Sequence, residues 1–426
     1  MATTSRIEEI RTGFSRPFWV ANITELFERL SYYAVFATLA NYLQDRSSAL
    51  GAGFTTQETS SLTGWFGGTV WFLAVFGGAV ADKLGFRRAL SVAYLILAVA
   101  YFLLGSIASS WLAPVRAVVP LWLLVLIILI LPALGIAMVK PSVVGTTARA
   151  SRENVRSLGY SIYYTLVNVG GAAGPYLAGL ISERMSTENV YRMAACSVLL
   201  MFFAVLLFYR EPRRSDDAPP PSIAQTARNF ATVAGNLRFM AFLLIFSGFW
   251  VVYWQQYIAL PLFLRKYQGI PAPTIDKLLI TDALTVICLQ IAVSYLTKRA
   301  GTFRAIIAGT LISSLSWVIV ALHPSVGGAV AALVVLALGE ITLSPRYYEY
   351  VSRLAPPEKQ GTYMGFAFVP IGIGSWAGGV LSGFLMHHFA ELQHRPAMVW
   401  WSFVAFGLLS TLLLWAYDRL VQPGKA

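Results

Sequence analysis

The chain has 426 residues, of which 57% are hydrophobic and only 12% are charged. A soluble domain carries about 25% charged residues because its surface faces water, so this composition excludes an ordinary soluble protein. The net charge of +12 comes from basic residues scattered along the chain. Nucleic-acid binding needs such residues clustered on one face, so no nucleic-acid partner is expected.

Apolar runs of about 20 residues, the length that a transmembrane helix needs, recur from end to end. Helices are expected because the bilayer core offers no partner to unpaired backbone groups. The chain is therefore predicted to be an all-α integral membrane protein with twelve spans, at 17–44, 59–82, 88–109, 118–147, 157–182, 190–209, 239–264, 275–297, 303–323, 327–351, 361–386 and 397–417.

The distribution of lysine and arginine predicts the orientation of the spans. With a cytoplasmic N-terminus, 21 of the 32 basic residues lie on the cytoplasmic side, eight lie in the opposite loops and three lie at membrane depth. This excess follows the positive-inside rule. We expect a multi-pass protein of the inner (plasma) membrane with both termini in the cytoplasm.

A polar stretch with three consecutive prolines, Glu211–Pro221, interrupts the apolar pattern. It predicts two six-helix bundles, 1–210 and 238–426, joined by a cytoplasmic linker at 211–237. An internal repeat supports this division, since Gly135–Pro141 in span four parallels Gly339–Pro345 in span ten.

This duplication and the string from Gly78 to Arg88, Gly-x-x-x-Asp-Lys-x-Gly-x-Arg-Arg, resemble the major facilitator superfamily. The resemblance implies two pseudo-symmetric bundles that alternate access to a midplane cavity. Alternatively, the string from Gly78 to Arg88 is only a basic cytoplasmic loop with a glycine turn and carries no family signal.

Span one carries polar side chains at helical spacing. A charge at the bilayer centre costs about 2.5–3.5 kcal/mol on insertion scales, so it usually faces a cavity or a partner. Residues three and four apart share one helix face, which predicts that this stripe lines a wet, polar space: Glu25, Glu28, Arg29, Tyr32, Tyr33 and Phe36.

The charges at membrane depth do not balance. When the Arg346/Glu349 pair near the cytoplasmic end is left out, two basic residues, Arg29 and Lys140, stand against four acidic ones: Glu25, Glu28, Asp282 and Glu340. A low-dielectric cavity does not readily hold two uncompensated carboxylates, so protons or a cationic group of a substrate should make up the difference. The alternative is that the charges only hold helices together, which suits the Glu25–Arg29 spacing best.

The segment Glu25-Leu-Phe-Glu28-Arg29-Leu-Ser-Tyr32-Tyr33-Ala34 resembles the span-one signature of proton-dependent oligopeptide transporters, Glu-x-x-Glu-Arg-Phe-x-Tyr-Tyr-Gly. Lys140-Pro141, the Tyr160–Gly170 segment and Gly339–Pro345 resemble family motifs in spans four, five and ten. The chain is thus similar to a divergent member of this family.

The resemblance implies roles for individual residues. Proton coupling falls to Glu25, Glu28, Arg29, Lys140 and Glu340, with Lys140 as the exchangeable ion-pair partner and Glu340 receiving a peptide's amino terminus. The expected substrate-binding residues are Arg29, Tyr32, Tyr33, Lys140, Tyr164, Asn168, Trp254, Gln255, Asp282, Glu340, Ser344 and Trp376.

Two positions depart from the family pattern. Phe36 replaces an arginine, and Trp254 replaces an acid with which that arginine pairs in an outer gate. Because both charges are missing, we expect an aromatic contact between these residues in place of the ion pair. Asp282 either supplies the missing negative charge or simply begins a helix near the outer membrane face.

The predicted function is proton-coupled symport of di- or tripeptides or of peptide-like zwitterions by alternating access. The alternative is proton-linked transport of another amine or drug, including efflux by antiport, and a non-transporting membrane sensor is a third reading. We find no catalytic motif and expect no enzyme and no cofactor beyond protons. The expected partners are a small-molecule substrate and the lipid bilayer. The protein is expected to be a monomer.

Overall fold

A computed structural model of the chain describes residues 13–212, 223–297, 300–356 and 360–421. Within these ranges the chain is almost entirely helical. Seven α-helices precede residue 212: α1 Arg16–Gln44, α2 Thr56–Leu84, α3 Phe86–Ser106, α4 Ala113–Val118, α5 Leu121–Ala150, α6 Arg156–Arg184 and α7 Thr187–Phe208.

Ten more α-helices follow in the other described ranges: α8 Ile223–Ala234, α9 Leu237–Tyr253, α10 Ala259–Gln268, α11 Ala272–Leu278, α12 Ile280–Thr297, α13 Thr302–Leu322, α14 Val326–Leu354, α15 Gln360–Phe366, α16 Val369–Leu385 and α17 Ala397–Val421. A 3₁₀ turn, Trp254–Gln256, separates α9 from α10. The predicted span 239–264 is therefore broken in its middle.

In the described residues, nine helical segments are long and apolar enough to cross a membrane. The other three predicted spans, 17–44, 59–82 and 157–182, fall on α1, α2 and α6, each of which is 29 residues long. The polytopic helical fold is confirmed, while the count of twelve spans stays a prediction.

The linker differs in part from its predicted form as a solvated stretch. Residues 213–222, including the three prolines, lie outside the described residues, as do the two chain ends, 1–12 and 422–426. The remainder contains α8, whose Phe230 stacks on Phe76 of α2 and contacts Phe366 of α15. These apolar contacts explain why a helix forms where the polar composition predicted a linker. The predicted domain boundaries at 210 and 238 stay a prediction.

The turn within the string from Gly78 to Arg88 follows its glycine. Gly85 ends α2 with φ at 80°, a conformation that favours a residue without Cβ. The Glu211 carboxylate accepts hydrogen bonds from the backbone N–H groups of Phe86 and Arg87 at 2.9 and 2.8 Å. It thereby satisfies two of the unpaired donors at the start of α3.

Pro141 shapes the middle of α5. Proline has no N–H, so the carbonyl four residues earlier, that of Ala137, loses its helical partner. Gly77 of α2 packs directly against this carbonyl, and a Cβ at residue 77 would lie 1.7 Å from the Ala137 oxygen. The close approach of α2 to α5 at this level depends on that glycine.

The helices before residue 212 pack mainly on one another, with α1 against α6 and α7, α2 against α5, and α3 against α5 and α7. In the second half α9 packs against α16 and α17, α13 against α14 and α17, and α12 against α14. The halves meet along two seams, α2 with α16, and α6 with α11 and α12.

Polar links join the two halves at one end of the bundle, which the charge pattern predicts to be non-cytoplasmic and which we call the outer end. Arg265 lies 3.1 Å from Asp45, and Lys277 lies 2.5 Å from Glu183. The Thr56 hydroxyl donates to Glu391 at 2.6 Å. These three contacts hold the two halves together at the outer end.

Candidate functional site

The first group of buried polar side chains lies on α1. Glu25, Glu28 and Arg29 are at most 1% exposed. The Arg29 guanidinium donates two hydrogen bonds to the Glu28 carboxylate, at 2.5 and 2.7 Å, and its Nε lies 3.7 Å from Glu25 Oε1. The pair predicted from i,i+4 spacing is present, but the shorter, two-point contact is with the adjacent residue, Glu28.

This α1 group is only partly satisfied. Both carboxylate oxygens of Glu25 and Arg29 Nη1 are buried, with no hydrogen-bond partner among the described residues. Burying charged atoms without full hydrogen bonding is costly. A proton on one carboxylate, or a second ligand on Arg29, would relieve this cost.

Lys140 does not take the position that the resemblance implied. Its Nζ lies 4.9 Å from the ring centroid of Trp71, a cation–π arrangement. Within the described ranges, no carboxylate lies within 4.0 Å of it in an ion pair. The exchange of Lys140 with the α1 carboxylates therefore stays a prediction.

The predicted wet stripe on α1 is mostly enclosed. Tyr32 and Phe36 have no exposed surface, like the glutamates. Phe66 of α2 packs on both rings, and Phe36 also contacts Trp254, while α6 packs closely on other residues of α1. A Cβ at Gly170 of α6 would lie 2.4 Å from the Leu26 carbonyl oxygen of α1. Among the stripe residues only Tyr33 reaches the cavity of the second group, so the expectation of a wet face along the whole stripe was wrong.

The second group surrounds a cavity of about 50 Å³ between α1, α6, α9, α12 and α14. Two carboxylates face it, Asp282 from α12 and Glu340 from α14, and the Tyr253 hydroxyl donates to Asp282 Oδ2 at 3.1 Å. The other polar lining side chains are those of Tyr33, Asn168 and Tyr257. The structure thus brings together four predicted residues: Tyr33, Asn168, Asp282 and Glu340.

The sequence left two roles open for Asp282: a charge in the site, or the start of a helix. Its buried side chain, 5% exposed, lies on the first turn of α12 and also faces this cavity. The residue both begins a helix and contributes a carboxylate to the candidate site.

Several predicted substrate-binding residues lie outside the cavity. Trp254 and Gln255 are buried and donate to the α16 carbonyls of Ile371 and Gly378, at 3.2 and 3.4 Å. Trp376 is 40% exposed and lies beside Trp65 of α2. Tyr164 and Ser344 are also absent from the lining of this cavity.

Tyr253, Gln256 and Tyr257 were missed from the sequence. Tyr253 and Tyr257 line the cavity, and the Gln256 amide lies beside Asp282. Their hydroxyl and amide groups within an apolar run were the available signal, since the 3₁₀ turn Trp254–Gln256 interrupts the α-helical spacing between the two tyrosines.

The outer end has a polar site of its own. Burial acts to raise the pKa of Asp45, but hydrogen bonds from Ser47 and the nearby Arg265 guanidinium outweigh it and lower the pKa below its ordinary value. The Ser47 N–H and hydroxyl donate to the carboxylate at 2.8 and 2.6 Å. Asp45 therefore stays ionised at neutral pH and holds Arg265 across the seam.

The family model described as Major Facilitator Superfamily matches residues 21–281 and 257–426. The chain belongs to the major facilitator superfamily. Its family and fold are those of membrane transporters rather than enzymes, and it is a multi-pass membrane protein.

Two similar curated relatives are named multidrug resistance protein MdtH. The protein of Enterobacter sp. (strain 638) is 22% identical over 359 residues, covering 83% of this chain and 85% of the relative. That of Photorhabdus laumondii is also 22% identical, over 355 residues, covering 83% of this chain and 82% of the relative.

Solved structures show the same fold. A POT family transporter in complex with 5-aminolevulinic acid is 16% identical, with a TM-score of 0.77 and 96% of each chain covered. The nucleoside transporter NupG is 13% identical, with a TM-score of 0.76, and 94% of this chain and 99% of that one are covered. At these identities the likeness concerns the fold alone.

Proposed function

We propose that this superfamily member is a proton-coupled symporter of di- or tripeptides or peptide-like zwitterions, working by alternating access as a divergent oligopeptide transporter. The observation that carries the proposal is the buried Arg29–Glu28 pair, with Glu25 beside it, one turn from Tyr33 at the cavity wall. Protonation of Glu28 would weaken its hold on Arg29. The guanidinium could then bind a substrate carboxylate.

The buried charges of the two halves differ in sign, which supports a substrate with two kinds of charge. Asp282 and Glu340 face the cavity from the second half of the chain and suit an amine. Arg29 and Lys140 lie in the first half and suit a carboxylate. The POT transporter of similar fold was solved with 5-aminolevulinic acid, a small zwitterion.

The remaining expectations belong to the same proposal. Protons are the coupling ion and no other cofactor is involved. The protein lies in the inner membrane as a monomer, with both termini in the cytoplasm, which makes the outer end non-cytoplasmic.

The test is uptake of labelled alanyl-alanine and alanyl-lysine into proteoliposomes with and without an inward proton gradient. The wild-type protein should accumulate at least one peptide, while Glu28→Gln and Lys140→Ala should equilibrate it without accumulation. Glu349→Gln, which alters an ion pair with Arg353 near the inner end, is the matched control and should behave as wild type. Accumulation by both site variants would contradict the coupling role.

Proton-driven efflux of a drug is the second candidate. It is favoured by the sequence relatives that are named multidrug resistance proteins and by the tyrosines around the cavity, which suit aromatic cations. Proton-driven transport of ethidium in the outward direction, without gradient-driven peptide uptake, would support this candidate over the first.

A further inference from the structure

The two carboxylates in the 50 Å³ cavity have no compensating charge. Within the described part of the chain, neither Asp282 nor Glu340 forms an ion pair with a lysine or arginine. Asp282 Oδ1 and Glu340 Oε2 are both buried there without a hydrogen-bond partner. Two acceptors thus lie in one small enclosure, with Tyr253 donating to one carboxylate.

The α1 group differs in this respect. There, Glu25 and Glu28 lie around Arg29, and Lys140 on the neighbouring α5 forms no ion pair with a described residue but is near enough to interact electrostatically with both, so two acids are matched by two bases. The excess of negative charge at membrane depth is therefore located in the cavity. A group that binds there must bring positive charge, because an uncompensated pair of buried carboxylates is costly.

The dimensions and walls of the cavity indicate what part of a ligand it can hold. Whole-molecule pockets have volumes of about 300–1,000 Å³, so a space of about 50 Å³ accommodates only a head group such as an ammonium or a guanidinium. The rings of Tyr33, Tyr253 and Tyr257 form part of the wall. Aromatic faces attract organic cations.

We propose that Asp282 and Glu340 together form a cation subsite, and that Asp282 makes the protein select substrates with a net positive charge over neutral zwitterions. The substrate class is small organic cations: diamines, guanidinium compounds and peptides with a basic side chain. This inference rests on the proposed transport function and narrows its substrate. Asp282 acts by touching the substrate's cationic group, beside the amine partner Glu340.

The test measures binding to the purified full-length protein in detergent by calorimetry, which does not depend on proton coupling. The probes are 1,4-diaminobutane, agmatine and alanyl-lysine as cations, and alanyl-alanine as the neutral zwitterion. The wild type should bind at least one cation roughly tenfold more tightly than alanyl-alanine. In Asp282→Asn, affinity for that cation should fall roughly 10- to 100-fold, the size expected for losing a hydrogen bond to a charged group.

Alanyl-alanine affinity should fall clearly less than that of the cation in Asp282→Asn, because its amine keeps Glu340 as a partner, and Asp282→Glu should restore most of the preference for cations. Asp418→Asn is a matched control that removes one negative charge near the inner end of α17, and it should bind as wild type. An equal loss of affinity for cations and zwitterion in Asp282→Asn would overturn the proposal. So would a wild type that binds none of the three cations, or that binds them no more tightly than alanyl-alanine. An unchanged cation affinity in Asp282→Asn would overturn it as well.

The two proposals can fail separately. Cation-selective binding without proton-driven uptake would contradict the proposed coupling and leave the subsite intact. Proton-driven uptake of alanyl-alanine without any cation preference would support the proposed coupling and contradict the cation subsite.

Discussion

The ring of Phe36 meets the indole of Trp254 nearly edge to face, with centroids 5.1 Å apart and planes at 64°. Tyr32, Phe66 and Tyr257 surround Phe36 as well. The contact joins α1 to the turn after α9, and so links the two halves of the chain. The predicted aromatic pair is present at the positions where the resembled family carries opposite charges, while its role as a gate stays a prediction.

Phe36→Arg should lower transport strongly, because it places a guanidinium among buried rings with no acid beside it, at a cost of several kcal/mol. The double variant Phe36→Arg/Trp254→Glu should recover much of the activity by forming a buried pair. Uptake rates in proteoliposomes at equal protein content provide the measurement. If the double variant is no better than the single one, the two positions do not act as a pair.

Glu28→Gln should lower the stability of the protein by about 3 kcal/mol, since it leaves the buried Arg29 without its two-point partner. We expect the low end of the usual range because Glu25 remains 3.7 Å from Arg29 Nε. Thermal unfolding in detergent measures the change.

Glu349→Gln is the control for this stability measurement. Glu349 pairs with Arg353 and with Arg346, and all three side chains keep at least 22% of their surface exposed, so its effect should be about 1 kcal/mol. An equal loss in both variants would show that the burial of the α1 pair is energetically unimportant.

Asp45→Asn should leave the pH profile of transport unchanged in shape between about pH 5 and 8. A carboxyl with a lowered pKa stabilises its ion pair above its ordinary pKa, and this contribution is lost only as the pH falls through the lowered value. The pKa of Asp45 is lowered in this way, so the outer link to Arg265 stays ionised over the working range. Uptake rates measured against pH in both proteins test this, and a profile shifted within that range would assign a proton-sensing role to Asp45.

Gly77→Ala should destabilise the protein by about 1–3 kcal/mol or more through overpacking, because its Cβ would lie 1.7 Å from the Ala137 carbonyl oxygen. Gly327→Ala is the matched control in another helix, where the nearest atom to the new Cβ is 3.9 Å away. It should be neutral or slightly stabilising, since alanine is a better helix former. Apparent unfolding midpoints in detergent compare the two, and an intact Gly77→Ala protein would mean that α2 and α5 separate easily.

The α9–α10 region shows where assigning residues from a family resemblance loses accuracy. An unbroken span through 239–264 would give each side chain a position set by 100° steps, but a 3₁₀ turn at Trp254–Gln256 changes that phase. As a result Gln256 lies beside Asp282, while Gln255 faces α16. Local sequence did not predict the turn, so the resemblance assigned Gln255 rather than Gln256 to the site.

The contacts of Trp376 and Lys140 could not be read from the sequence for a different reason. Their helices were predicted correctly, but the partner of a side chain depends on which neighbouring helix approaches and at what distance. Trp376 lies beside Trp65 because α16 packs on α2, and Lys140 lies over Trp71 for a similar reason. Contacts between distant segments of this kind are set by packing.

The sequence by itself determined the helical membrane fold, the superfamily and the excess of carboxylates at membrane depth, because long apolar runs and rare intramembrane charges are local properties of a chain. Only the tertiary structure decided where that excess lies. Arg29 forms its ion pair with Glu28 within α1. Asp282 and Glu340, 58 residues apart in sequence, share a small cavity and have no basic partner among the described residues. Helix packing determines which charges meet, and so it decides which of them remain for a substrate.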